Sequence, residues 1–178
     1  DLRLNQEAGI SAAERLAAIT KDELAGMLYE NSDEPYCEEL AKAITDEIRK
    51  GNRIDTTTKL RNIIEKTLDF LPEKEKKDTI KKTCQRTFQA LRIDVNNEFE
   101  VLYEFMEKLP GALKPGGRVA ILTFHSGEDK LVKKALKAGY KEGIYSEYAR
   151  DVVRPSAQEC AQNGRARSTK MRWAVKAE

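Results

Sequence analysis

The sequence predicts an α/β protein in which a bundle of short helices precedes a small, incomplete sheet. Between residues 11 and 70, helix-capping residues and apolar stripes recur at helical spacing. RVAILTF, at 118–124, is a β-branched apolar run of the kind found in strands buried within parallel sheets. Only three segments predict strands, whereas an open sheet usually has about five or six. Either another chain completes the sheet, or the front half of the domain lies upstream.

The composition narrows the class of protein. The chain has 178 residues, 32 Lys and Arg against 30 Asp and Glu, and a formal net charge of +2, so any nucleic-acid surface must be local. Three separated cysteines and one histidine argue against a disulfide framework and against a zinc site. No apolar run approaches the roughly 20 residues of a membrane span, and the first residues resemble no targeting signal. We therefore expect a cytoplasmic protein without a metal site or a membrane partner, or an organellar one if the source is eukaryotic.

Residues 11–70 are predicted to form four short helices. Ser11 and Thr20 each precede a glutamate by three residues, which is the capping-box arrangement that starts a helix. Further along, apolar residues at spacings of three and four share one helix face. They are Tyr36, Leu40, Ile44 and Ile48, and then Leu60, Ile63, Ile64 and Leu68.

Residues 72–82, PEKEKKDTIKK, are the best candidate for a domain boundary. Their charge pattern fits a flexible linker and the solvated first turns of a helix equally well. The segment 83–113 then predicts two helices, with a break near Asn96 and Asn97 and an end before Pro110.

The pattern changes to α/β at residue 114. KPGG predicts a turn, RVAILTF a strand, and GEDKLVKKALKAG a helix that Ser126 caps. Three more elements follow: YSEYARDVV as a weaker strand, PSAQECAQN as a short helix started by Ser156, and KMRWAVKA as the last strand.

His125 is the only histidine and lies just past the end of the predicted strand. In open α/β sheets, ligands bind at that edge, and a histidine there can exchange a proton near neutral pH. The alternative is a polar residue that only satisfies local backbone groups, and position alone does not separate the two. No nucleophile–base pair is evident, and the helix dipole explains Glu128 and Asp129.

Two basic segments are candidates for contact with phosphates or bases. RTFQALR, at 86–92, mixes arginines with an aromatic ring that could stack on a base, but a core role for Phe88 with the arginines on the surface is the simpler interpretation. NGRARSTKMR, at 163–172, has four basic residues and no acid. An arginine-rich turn suits phosphate contact, so the pattern favours phosphate binding over a basic turn without a ligand.

Taken together, five segments resemble one family, the bacterial 16S ribosomal RNA cytosine-N4 methyltransferases of the MraW type. The matching segments are DLRLNQEAGISAAERL, RTFQALRIDVNNE, KPGGRVAILTFHSGEDKLVK, RPSAQE and NGRARSTKMRWAVK. Family members run much like D-M-R-M, R-T-F-Q-A-L-R-I, F-H-S-L-E-D and N-P-R-A-R-S. The match extends over essentially the whole chain.

The resemblance implies an S-adenosylmethionine-dependent enzyme with a Rossmann-like class I methyltransferase domain and an inserted small helical domain. Residues 1–10 would be a remnant of the methyltransferase domain, 11–84 the inserted substrate-recognition domain, and 85–178 the C-terminal half of the Rossmann-like domain. The implied substrate is a cytosine N4 amine in 16S-type ribosomal RNA or the small ribosomal subunit. The family's glycine-rich cofactor loop has no counterpart here, so no residue is assigned to the cofactor.

The resemblance also implies roles for particular residues. His125 and Ser126 would lie at the rim where the cytosine enters, with His125 positioning the base or accepting its proton. The implied RNA-binding residues are Arg86, Phe88, Gln89, Arg92, Arg165 and Arg167.

Several residues depart from the family pattern. Gly127 stands where relatives have leucine, Gly164 where they have proline, and Glu38 and Glu39 where they often have arginines. The rival interpretation is a truncated, non-catalytic paralogue that binds RNA or protein. An open sheet edge would also allow a homodimer.

Overall fold

A computed structural model describes all of residues 1–178. The chain forms eight α-helices, one short 3-10 helix and a three-stranded antiparallel sheet, and it divides into two compact units, residues 1–98 and 99–178. The predicted α/β class, with helices first and the sheet after them, is confirmed. No helix has both the length and the apolar character needed to cross a membrane.

The first unit is a bundle of five helices. The capping boxes predicted at Ser11 and Thr20 are present, each with the reciprocal glutamate bond. The helices are α1 (Ala12–Ala18), α2 (Lys21–Ser32), α3 (Cys37–Arg49), α4 (Thr57–Thr67) and α5 (Glu73–Val95).

The predicted apolar stripes of α3 and α4 lie in the core of this unit, together with residues of α2 for which no stripe was predicted. Leu24 and Leu28 of α2, Leu40 and Ile44 of α3, and Ile64 of α4 are fully buried. The charged segment 72–82 forms the first turns of α5, so of its two interpretations the helix is observed. The boundary predicted between residues 84 and 85 falls inside this continuous helix, and the domain limits stay a prediction.

The N-terminal segment is tied to the end of α5. Leu2 has a φ of +68°, a left-handed conformation that is uncommon for leucine. The Asn96 side chain holds it, because its amide oxygen accepts from the Leu4 N–H at 2.8 Å and its amide nitrogen donates to the Leu2 carbonyl at 2.9 Å. One side chain thus fixes a segment whose own residues are mostly exposed.

The second unit contains the sheet. The break predicted near Asn96 is confirmed, but the predicted end before Pro110 is wrong, because the helix continues through Pro110 and Gly111. The elements are α6 (Glu98–Ala112), β1 (Arg118–Thr123), α7 (Ser126–Lys141), β2 (Tyr145–Tyr148), α8 (Ala157–Gln162), the 3-10 helix (Gly164–Ser168) and β3 (Lys170–Lys176).

The sheet corrects the prediction of a parallel sheet. Its order is β1-β3-β2, and β3 pairs antiparallel with both neighbours. The strands β1 and β2 therefore run in the same direction, joined by α7, but β3 lies between them. Nor is β1 buried on both faces: Val119 and Ile121 pack into the core, whereas Leu122 is 57% exposed. An apolar run alone does not reveal the direction of the partner strand.

The core of the second unit lies between α6, α7 and one face of the sheet. Its buried apolar residues are Met106, Leu109, Val132, Leu136, Tyr145 and Ala174. Gly139 allows the Tyr145 ring to approach α7, since a Cβ at residue 139 would lie 2.6 Å from that ring. The packing of α7 against the sheet fixes the junction between β1 and α7, where His125 lies.

Candidate functional site at the end of strand β1

His125 is the N-cap residue of α7. Its backbone is extended, and its Nδ1 accepts from the Glu128 N–H at 3.4 Å, so the imidazole takes the capping role predicted for Ser126. That prediction was wrong: Ser126 is the exposed first residue of the helix. The local backbone interaction that was the alternative explanation for His125 is therefore present.

The second imidazole nitrogen faces a carboxylate. His125 Nε2 is buried without a hydrogen-bond partner, and Glu128 Oε1 lies 3.4 Å away. Because Nδ1 acts as an acceptor, the neutral ring carries its proton on Nε2. The imidazole is thus held in one orientation between the Glu128 N–H and the Glu128 carboxylate.

Glu128 links the end of β1 to the first turn of α7. Its Oε2 accepts from the Phe124 N–H at 2.9 Å, which ties the residue after β1 to the first turn of α7. Burial by itself raises the pKa of Glu128, but the contacts with the His125 side chain and the Phe124 N–H outweigh it and leave the pKa below its ordinary value. The junction therefore presents an ionised carboxylate beside the imidazole at neutral pH.

Phe99 and Gly127 enclose the other side of the imidazole. The Phe99 and His125 rings meet edge to face, with centroids 5.8 Å apart. A Cβ at residue 127 would lie 2.7 Å from Phe99 Cζ and 3.2 Å from His125 Nδ1. A side chain at residue 127 would force one of these rings to shift, and no pattern in the sequence indicates Phe99.

A buried ion pair anchors α7 to the sheet. Arg172 of β3 contacts Asp129 twice, Nε to Oδ1 at 2.7 Å and Nη2 to Oδ2 at 3.1 Å. The Arg172 hydrogen bonds hold the pKa of Asp129 below its ordinary value. On the sequence alone, the helix dipole explains Asp129, and Arg172 belongs to a basic segment. The signal available was a charged residue on the inward face of an alternating strand.

The other two arginines of that basic segment are exposed. Arg165 and Arg167 lie on the 3-10 helix, on either side of the buried Ala166. The Asn163 side chain caps this helix by accepting from the Arg165 N–H at 3.1 Å. The structure thus presents these two arginines together at the surface and removes Arg172 from the group.

The four candidate residues of segment 86–92 lie on α5, in the first unit. Arg86 Nη1 is 3.7 Å from Oε2 of the fully buried Glu34, and Arg92 holds Glu98 through two bonds of 2.8 and 3.1 Å. Gln89 is half-buried. Phe88 packs against the core as in the simpler interpretation, but Arg86 faces a buried acid and is not simply a surface residue. RNA contact by Arg86, Phe88, Gln89 and Arg92 stays a prediction.

Comparisons with known proteins support the motif-based resemblance. The family model described as the MraW methylase family matches residues 1–177. A protein of Agathobacter rectalis named ribosomal RNA small subunit methyltransferase H 1 is 88% identical over 178 residues, which are 100% of this chain and 51% of the relative. A protein of the same name from Lachnoclostridium phytofermentans is 71% identical over 177 residues, 99% of this chain and 48% of the relative.

The similarity extends to more distant bacteria. Ribosomal RNA small subunit methyltransferase H of Rickettsia prowazekii is 36% identical over 193 residues, covering 99% of this chain and 60% of that protein. The chain spans about half the length of the most similar of these relatives.

Proposed function

Because the chain belongs to the MraW methylase family, we propose that it is the C-terminal portion of an S-adenosylmethionine-dependent methyltransferase. The proposed acceptor is the N4 amine of a cytosine in small-subunit ribosomal RNA. The observation that carries the proposal is the match over residues 1–177 to that family, whose relatives are named ribosomal RNA methyltransferases. In this proposal residues 11–84 are an inserted helical domain, and residues 85–178 complete a Rossmann-like domain.

The residues of this chain do not by themselves make a cofactor site. The sequence contains no glycine-rich turn between a strand and a helix of the type that binds a nucleoside cofactor. At the end of β1 it offers a capping imidazole, a carboxylate and a phenyl ring. These groups suit contact with a nucleobase better than contact with a cofactor. We therefore propose that other residues of the complete protein bind the cofactor.

The groups around His125 fit the handling of a cytosine amine. The amine lone pair is delocalised into the ring, so acceptors that hold its hydrogens favour the pyramidal geometry needed for methylation. Glu128 stays ionised and His125 is held in one orientation, which supplies the positioning that such a transfer requires. A base in folded RNA must be splayed out to reach these groups. Exposed Arg165 and Arg167 would hold the flanking phosphates.

The edge of the sheet is consistent with a partial domain. The strand β1 pairs only with β3, which leaves its second edge without a partner strand. Leu122 and Phe124, at 57% and 55% exposure, lie on or beside that strand. We propose that other strands of the complete protein pair with β1. Pairing with a second copy of this chain is the rival.

The first test is calorimetric titration of S-adenosylmethionine into the 178-residue chain. We expect no heat of binding, because the proposal places the cofactor loop elsewhere. Micromolar binding would show that the chain contains the cofactor site and would contradict this division of the enzyme.

The second test is methyl transfer by a chimaera. Residues 1–178 would replace the matching half of the Agathobacter rectalis relative, with which they are 88% identical. We expect the chimaera to methylate small ribosomal subunits. His125→Ala should lower the rate at least tenfold, while the control Asp151→Ala, at an exposed residue with no proposed role, leaves it unchanged. An inactive chimaera that still folds and binds RNA would favour the non-catalytic paralogue.

A further inference from the structure

Lysines form a continuous exposed band along α7, which we call the α7 lysine face: Lys130, Lys133, Lys134, Lys137 and Lys141. At 3.6 residues per turn, the five side chains fall within an arc of roughly 100° and extend over about 16 Å of the helix. Val132 and Leu136, on the opposite side, are fully buried. The packing of α7 against the sheet therefore turns the lysines outward.

The α7 lysine face accounts for the charge of its whole unit. Residues 99–178 contain 15 Lys and Arg against 10 Asp and Glu, whereas residues 1–98 contain 17 against 20. The span from residue 130 to residue 141 contains five lysines and no acid, which equals the entire excess. The near-neutral total thus conceals an acidic helical unit and a basic unit whose surplus lies on one helix face.

Several lysines elsewhere in the chain are neutralised by nearby acids. Lys42, Lys50 and Lys59 form ion pairs of 3.1, 3.3 and 2.6 Å with acids three or four residues away. Lys134 and Lys137, by contrast, have no carboxylate within ion-pair distance. A polyanion that bound the paired lysines would have to displace their acids. The exposed Lys74, Lys77 and Lys81 of α5 alternate with acids in the same turns, whereas residues 130–141 contain none, so the α7 lysine face is the favoured surface for a polyanion.

We propose that the α7 lysine face binds the backbone phosphates of RNA. The inference rests on the proposed function for the class of partner. Lysine binds phosphate as a point charge, and a row of such charges contributes affinity without sequence specificity. In the complete enzyme this face orients the RNA, while the residues around His125 select the base.

The experiment measures binding of a labelled oligouridine to the 178-residue chain over a range of salt concentrations. One variant changes Lys133, Lys134, Lys137 and Lys141 to glutamine, which has a similar helix propensity. Each phosphate contact contributes roughly 0.7 to the slope of log affinity against log salt for a single strand. We therefore expect the slope to become shallower by about three, with weaker binding at low salt.

A matched control makes the same change of charge elsewhere. Glutamine replaces the ion-paired Lys42, Lys50, Lys59 and Lys82, and we expect at most a small change in slope. Arginine in place of the four α7 lysines should keep the wild-type slope, since the charge is retained. Circular dichroism verifies that each variant is folded.

Three results would overturn the proposal: equal slopes for wild type and the α7 glutamine variant, an equal loss in the control, or binding to phosphatidylserine vesicles without binding to oligouridine. Because oligouridine contains no cytosine, the measurement does not depend on methyl transfer. If the chain binds RNA through these lysines but the chimaera does not transfer methyl groups, this inference stands and the proposed function is contradicted.

Discussion

The ion pair between Asp129 and Arg172 provides the sharpest test of the second unit. Asp129→Asn removes the negative charge and keeps the shape of the side chain. Arg172 is only 5% exposed, so its charge would remain buried without a counter-ion. Removing one partner of a buried pair costs about 3–5 kcal/mol. Because asparagine still accepts a hydrogen bond, we expect a loss near the lower end of that range, about 3 kcal/mol.

Urea unfolding followed by tryptophan fluorescence measures this loss. Trp173, the only tryptophan, is adjacent to Arg172 in β3 and reports on the sheet. With a denaturant slope of about 1–3 kcal/mol/M, the midpoint should fall by about 1 M or more. The exposed Asp151→Asn is the charge-matched control and should change stability by no more than about 0.5 kcal/mol.

A loss below about 1 kcal/mol for Asp129→Asn would refute the reasoning, because it would mean that water reaches the Arg172 guanidinium. The double variant Asp129→Leu with Arg172→Met removes both charges. It should recover most of the stability, since replacing a buried pair with apolar residues is often neutral.

Three further predictions concern pH, a glycine and an asparagine. The lowered pKa of Asp129 means that its stabilising contribution is complete above the unfolded-state value of about 3.9 and is lost as the pH falls through the lower folded-state pKa, so acid titration of wild type should show a loss of stability that Asp129→Asn lacks. Gly127→Ala should shift the NMR signals of the single histidine, because the added methyl group contacts its ring. Replacing a helical glycine by alanine usually raises the free energy of unfolding by about 0.5–1 kcal/mol; we expect that gain for Gly111→Ala, which has open space around it, but not for Gly127→Ala. Equal gains in stability for the two variants would contradict the clash at residue 127. Asn96→Ala should speed hydrogen exchange at the Leu4 amide, and unchanged exchange would mean that the side chain does not hold the segment.

Much of the local structure could be predicted from the sequence, because short-range chemistry decides it. The capping boxes at Ser11 and Thr20 and the break near Asn96 depend on residues a few positions apart. The prediction that Ser126 caps α7 was wrong because short-range chemistry allowed two solutions. Two adjacent residues, His125 and Ser126, could each accept a bond from the first turn, and the packing of α7 decided between them.

The sequence by itself determined that helices precede a small sheet, that the chain carries the motifs of one methyltransferase family, and that its only histidine follows a strand. Tertiary structure alone decided that β3 lies between β1 and β2, and that Arg172 belongs to a buried pair rather than to a surface. The physical reason is distance along the chain. Asp129 and Arg172 are 43 positions apart, and strand β1 pairs with the distant residues of β3, so only packing brings these partners together.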